Sequence, residues 1–312
     1  DAQESRGLGD VYKRQVNDVY EQIKNDLIEA SKILPEAPDS KRLGTAVSGS
    51  AKTLLGKVYL TLKDYDNAVK ILKEVIDSKQ YTFIQDYTEL FDVDNKNNSE
   101  SIFEIQYTEA VTDLGSAFAN LFAPIGSSEV TGGIGATEGN NEPTRNFYES
   151  YNIDDLRRDV SIGQLADGRI YCKKFVKKPV LPNQSNANFV VLRYTDVLLM
   201  YAEALNEISY SSSGDAIKYL NEVRQRAGLQ LYTSQQITGK DEFRNLIWDE
   251  RRCEFAFENQ RWFDLLRSGK AVEVMNKSSN GDFAIEPYQL LFPIPQNQID
   301  IAPDVMKQND NY

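Results

Sequence analysis

The chain has 312 residues, a formal net charge of −12 and no histidine, with 41% hydrophobic and 26% charged residues. That is the composition of a folded globular protein of about two domains' length, not of a disordered or fibrous one. Without histidine there is no Ser-His-Asp triad, no Cys-His nucleophile and no histidine-ligated zinc, and the acidic balance opposes nucleic acid. Aromatic residues make up 11% and include 17 Tyr, which points to binding ahead of catalysis.

In chain order, Gly9-Asp10-Val11-Tyr12-Lys13-Arg14-Gln15 resembles translated adapter sequence. Residues 1–15 are therefore set aside as a non-native leader, and the native N-terminus is expected upstream. Over residues 16–34 apolar Val19, Ile23, Leu27 and Ile28 recur at helical spacing, and Pro35 and Pro38 stop the helix. Two more helices are predicted over 47–62 and 65–78, a hairpin turning at Lys63-Asp64. In it Leu55, Gly56, Tyr59, Ala68 and Leu72 match the tetratricopeptide pattern, with small residues where the helices cross closely. A related pair is predicted over 194–208 and 215–226, with Ala202 and Ala216 in the small positions. Solenoid repeats normally run in tandem, so the separation of the two pairs marks an interruption.

The interruption, residues 81–188, has a different composition. Residues 101–107 alternate like a strand. Residues 109–148 then hold Gly115, Gly126, Gly132, Gly133, Gly135 and Gly139 among aromatics, a loop long enough to be functional. Residues 170–176 are a short basic segment, and 179–188 a Pro/Asn-rich connection. Sugar rings stack their C–H faces on aromatic side chains while Asn, Glu and Arg satisfy their hydroxyls. Phe118, Asn120, Phe122, Glu138, Asn140, Asn141 and Arg145 offer that mixture and are the candidate ligand contacts. Phe147 and Tyr148 read as anchors of the loop. The glycines at 132, 133 and 135 lack the strand–glycine–helix context of a dinucleotide site. Asp92-Val93-Asp94-Asn95 lacks the later ligands of a calcium loop and reads as a turn. Cys172 and Cys253, far apart and outside any CxxC pattern, read as small apolar residues. No cofactor, metal site or catalytic residue is assigned.

Residues 241–267 carry the strongest local signal. At about 100° per residue Glu250, Glu254, Glu258 and Arg261 share an arc with Phe243, Ile247 and Leu265. Paired acids invite a glycoside hydrolase reading. The stronger reading is an inward-facing ionic network with a helix break at Asn259-Gln260, because each acid has an arginine nearby.

Several of these segments resemble the SusD/RagB nutrient-binding lipoproteins of Bacteroidota outer membranes. They are Leu192-Arg193-Tyr194 through Leu205-Asn206-Glu207, Leu220-Asn221-Glu222-Val223-Arg224 to Ala227-Gly228-Leu229, and Glu250-Arg251-Arg252 through Arg261-Trp262-Phe263-Asp264-Leu265. Leu291-Phe292-Pro293-Ile294-Pro295 is similar to the family's terminal segment. Tyr151 to Arg157 is similar to its Tyr-Asp-x-x-Asp-x-Arg element, with Asn152 in place of the usual Asp. The resemblance implies a mainly α fold of tetratricopeptide-like helical repeats with long irregular loops and a few short strands. It would occupy residues 16–312 as a helical repeat region (16–80), a loop-rich insertion (81–188) and a C-terminal helical region (189–312). It further implies a non-enzymatic surface protein that hands oligosaccharide or polysaccharide to a SusC-like TonB-dependent transporter. Such a protein touches the outer membrane only through a lipid anchor, here lying upstream with part of the ligand site. Peptide capture, as in RagB-like members, and a repeat scaffold for protein interaction are the alternatives; glycoside hydrolysis ranks below both.

Overall fold

The computed structural model describes residues 15–39, 41–279 and 283–312. The leader expected at 1–15 lies, apart from Gln15, outside the described residues. The chain divides into two compact units, Leu27–Arg261 and a smaller one made of Asp1–Asp26 with Trp262–Tyr312.

The chain enters through α1 (Val16–Ile33). In the larger unit, α2 (Ser48–Thr61) and α3 (Tyr65–Asp77) form the expected hairpin. Lys63 takes φ 60° at the turn, and the Asp64 carboxylate caps α3 by accepting from the Asn67 N–H. Gly56 sits at the crossing: a Cβ there would come within 2.4 Å of Leu72 Cδ2. After a short α4 (Tyr87–Leu90), strand β1 (Ser101–Ile105) leads into the insertion. The insertion holds α5 (Phe118–Phe122), α6 (Arg145–Ser150), α7 (Arg157–Ser161) and a two-stranded ribbon of β2 (Ile162–Gln164) and β3 (Ile170–Cys172). Strand β4 (Phe189–Arg193) then runs antiparallel to β1, with Ser101 opposite Arg193 and Ile105 opposite Phe189. The strand predicted to Tyr107 stops at Ile105, because the Tyr107 N–H is taken by the Asn188 side chain and not by the ladder.

α8 (Tyr194–Ile208) and α9 (Asp215–Arg226) match the predicted second pair, and α10 (Lys240–Glu254) follows. Leu60, Ala68, Leu72 and Val75 from the first pair share one core with Val197, Met200, Tyr201 and Ala204 of α8. On its other face α8 packs Leu199 and Ala202 against Ala216, Leu220 and Val223, with Phe243 and Ile247 from α10. The two helical pairs, far apart in sequence, are thus consecutive in space. The β1–β4 ladder closes the neck of the segment between them.

One expectation needs correction. The helix predicted across 241–258 ends at Glu254, and Phe257 and Asn259 adopt φ of 66° and 62° in the turn that follows. Glu258 is therefore carried by a turn, not a helical face. Arg261 and Leu265 belong to the next helix, α11 (Arg261–Ser268).

In the smaller unit α12 (Ala271–Ser278), a 3-10 turn at Pro287–Leu290 and α13 (Gln296–Ile301) follow. Its last residues strap back on the Leu291-to-Pro295 segment. Gln308 brackets Ile294 through both backbone groups, the Tyr312 hydroxyl donates to Leu291 C=O, and its ring meets Tyr288 edge-on.

Candidate functional site

Glu254, the last residue of α10, has no exposed surface and is the hub of a buried charge network. It accepts from Arg157 at 3.1 Å, Arg193 at 2.7 Å and Arg226 at 2.5 Å. Each guanidinium reaches a second acid: Arg157 also binds Asp155 and Glu250, Arg193 binds Glu100 and Glu258, and Arg226 binds Glu100. Lys174 closes on Glu258 and Arg224 on Glu250. Acids Glu100, Asp155, Glu250, Glu254 and Glu258 thus face Lys174, Arg157, Arg193, Arg224 and Arg226, so the charges balance. Arg193 and Arg226 also lie over the rings of Phe255 and Phe83, at 4.3 and 4.0 Å. Beside this network Asp196 accepts from Arg251 and pairs with Lys57.

This arrangement disfavours proton transfer. Burial by itself would raise the Glu254 carboxyl, but Arg226, Arg193 and Arg157 outweigh it and hold the group well below the usual carboxylate range. A general acid at neutral pH needs the opposite shift and a path to substrate. Lys174 is pushed below its ordinary range by burial, against the pull of Glu258, and stays tied to Glu258 and the Glu254 carbonyl. The expected inward network is present for Glu250, Glu254 and Glu258. Sequence reading missed Glu100 and Lys174. Their only local signal is a charged residue set directly against an apolar alternation, Glu100 before β1 and Lys174 between Cys172 and Phe175.

The candidate contact residues fall in two groups. Phe118 is a loop anchor, packed between Tyr107, Phe122, Phe175 and Phe189 at centroid distances of 5.5–5.9 Å. Asn120 is buried and spends its amide inside: Nδ2 donates to the Ile134 and Ala136 carbonyls, and Oδ1 accepts from Asn183 N–H. It thereby tethers the glycine-rich loop to α5. The loop returns along α5, with Glu138 N–H bonding the Asn120 carbonyl and Asn140 N–H the Leu121 carbonyl. This brings Glu138 and Asn140 beside the half-buried Phe122, with their side chains exposed and bonded to each other. Asn141 is exposed in a left-handed turn. Arg145 stands apart: it donates to Gly168 C=O and lies 5.5 Å from the Tyr148 ring, which Arg158 approaches from 5.4 Å. Tyr148 and Phe147 act as anchors, Phe147 packing on Tyr151 and Phe257. Asp92-Val93-Asp94-Asn95 is a turn, with the Asp92 carboxylate accepting from Asp94 N–H. Cys172 and Cys253 are unpaired thiols.

A helical-repeat stack locked by buried charge and carrying a loop-rich insertion defines an interrupted-repeat scaffold. Most of the charged residues that lock it, Asp155, Arg157, Arg193, Arg224, Arg226, Glu250, Glu254 and Glu258, come from the same segments that carry the family resemblance. Residues 103–312 match the SusD family, and the chain belongs to it. It is 29% identical to SusD-like protein P2 of Formosa agariphila over 97% of this chain, spanning 66% of that relative's length. Among solved structures it matches a SusD superfamily protein from Parabacteroides distasonis (29% identity, TM-score 0.83, 96% of this chain and 70% of that one). It also matches surface glycan-binding protein A from Bacteroides thetaiotaomicron in complex with laminarihexaose (27% identity, TM-score 0.82, 96% and 72%).

Proposed function

We propose that this chain is part of a surface glycan-binding protein of a SusC/SusD-type uptake system. It captures oligosaccharide or polysaccharide without cleaving it and delivers it to a SusC-like TonB-dependent transporter. The whole protein would sit on the outer-membrane surface through a lipid anchor. The observation that carries this reading is the agreement, over nearly all of the chain, with a solved protein that holds laminarihexaose. The exposed Glu138, Asn140, Asn141 and Arg145, with Phe122, are the proposed contacts, and Phe118 and Asn120 support them from beneath. The non-catalytic reading is supported by Glu250 and Glu254 of α10, whose carboxylate oxygens are all engaged by cations in the interior.

Native electrophoresis of the chain through gels containing laminarin and a panel of plant, host and microbial polysaccharides tests it. Retardation by at least one polysaccharide, with no new reducing ends released, is expected. No retardation by any of them overturns glycan capture. Release of reducing ends that Glu254→Gln abolishes while the fold persists overturns the non-catalytic reading.

A further inference from the structure

Residues 168–178 hold Arg169, Lys173, Lys174, Lys177 and Lys178 and no acid, in a chain whose net charge is −12. Three of these cations are engaged by the protein itself: Lys174 pairs with the buried Glu258, Arg169 with the exposed Asp167, and Lys173 donates to the Asp159 carbonyl. No described carboxylate pairs with Lys177 or Lys178. Lys178 lies over Gly132, where a Cβ would meet its Cε at 2.3 Å and its Nζ at 2.6 Å. With φ of +64°, Gly132 both makes the turn and leaves the space in which the ammonium rests. Farther along, Pro182 packs on Gly135, and the Asn183 N–H donates to Asn120. Residues 178–183 therefore run beside 132–135, and the Lys178 ammonium belongs to the loop that also presents Glu138 and Asn140.

Lys96 adds to this positive strip. Its Nζ donates to the Tyr107 carbonyl and the Asn186 side chain, not to an acid. Burial, with repulsion from Lys177, holds it below its ordinary range against the pull of Glu104, Glu109 and Asp94. In the same loop Ser127 and Thr131 are buried with hydroxyls that no group of the protein engages, which leaves hydrogen-bonding capacity for a water or a ligand oxygen. Lys177 and Lys178, which no described carboxylate pairs, repel as neighbouring like charges in the free protein, and a bound anion relieves that repulsion. A neutral sugar would gain nothing from it. An acidic polymer, repelled by the rest of this chain, needs such a strip.

We infer that the glycan captured on the insertion is acidic, its carboxylate or sulfate groups read by Lys178 and Lys177. This rests on the glycan-capture reading and specifies its ligand. The test is native electrophoresis in gels containing alginate (uronate), carrageenan (sulfate) or laminarin (neutral), for the unaltered chain and for Lys177→Gln/Lys178→Gln. Far-UV circular dichroism checks the fold of the variant. Retardation by alginate or carrageenan that weakens roughly tenfold in the double variant, the product of two charge contacts, and that falls as salt rises, is the expected result. Which of the two polymers retards the chain tells uronate from sulfate. Retardation by laminarin alone, or acidic retardation unchanged in the variant, overturns the inference and leaves glycan capture standing. No retardation by any polysaccharide overturns both.

Discussion

Arg193, the residue that turns β4 into α8, donates from Nη1 to Glu254 Oε1 at 2.7 Å and so ties the neck of the insertion to the end of α10. Both side chains are almost wholly buried, and neither could be held there without the other. Removing one partner of a buried pair strands the remaining charge, which costs far more than the pair contributes relative to an apolar substitute. The hub therefore sets which packing is permitted more than how stable it is.

Glu254→Ala leaves Arg157, Arg193 and Arg226 without their common acceptor. A loss of about 3–5 kcal/mol is expected, read as a drop in the urea midpoint or a chain that no longer expresses soluble. A midpoint within ~0.5 kcal/mol of the unaltered chain, the range of surface substitutions, would show that the hub is not a structural lock.

Acid should unlock the same network. The Glu254 and Asp196 carboxyls bind their protons less readily in the folded than in the unfolded chain. Their stabilisation is complete above the ordinary carboxylate range, near pH ~4, and is lost as the pH falls through the folded-state pKa values. The urea midpoint should therefore hold steady from pH 7 to about 5 and fall steeply below about 4. A midpoint that climbs as pH falls from 7 to 5 contradicts the depressed carboxyls.

Gly56→Ala tests the helix crossing. Alanine gains up to about 1 kcal/mol in helix propensity, but its methyl would sit 2.4 Å from Leu72 Cδ2 and 2.7 Å from Cγ. Forcing α2 and α3 apart costs about 1–3 kcal/mol, so a lower melting temperature is expected. A higher one would mean that the pair separates at no cost.

Phe118→Ala and Asn140→Ala should part stability from binding. Phe118 packs on four rings, and its loss is expected to cost about 3 kcal/mol. The exposed Asn140 should cost under ~0.5 kcal/mol while weakening retardation in the polysaccharide gel. If Asn140→Ala leaves retardation untouched, it is no ligand contact.

Burial pushes both the Cys172 and the Cys253 thiols up to about 12. Native protein at pH 8 should therefore react slowly with iodoacetamide at either site, and fast labelling should appear only in denaturant. Fast labelling of the native chain would show a thiol exposed to solvent.

The helical pairs were legible because each buries one face, and a 3.6-residue period writes that face into the sequence. α8 and α9 match their predicted bounds. The end of α10 was not legible: residues 255–258 continue an apparently helical pattern, and only the left-handed Phe257 and Asn259 turn Glu258 back toward Arg193. Loop residues 109–148 have no period to read, so composition there named residue types and could not tell Phe118, an anchor, from Asn140, which faces solvent. The Asn120 amide likewise reads as a ligand contact until its loop partners are seen.

By itself the sequence determined the helices of the two pairs, their small-residue crossings and the inward-facing acids of α10, because these depend on residues within a few turns of one another. Tertiary structure alone decided that two separated pairs become neighbours and that Glu100, Asp155, Arg193, Arg226 and Glu254 meet in one buried cluster. It also decided that Lys178 comes to rest over Gly132. Such contacts join residues tens of positions apart. Their pairing follows from the packing of the whole larger unit, where a buried charge is tolerated only beside its opposite, and no local pattern records it.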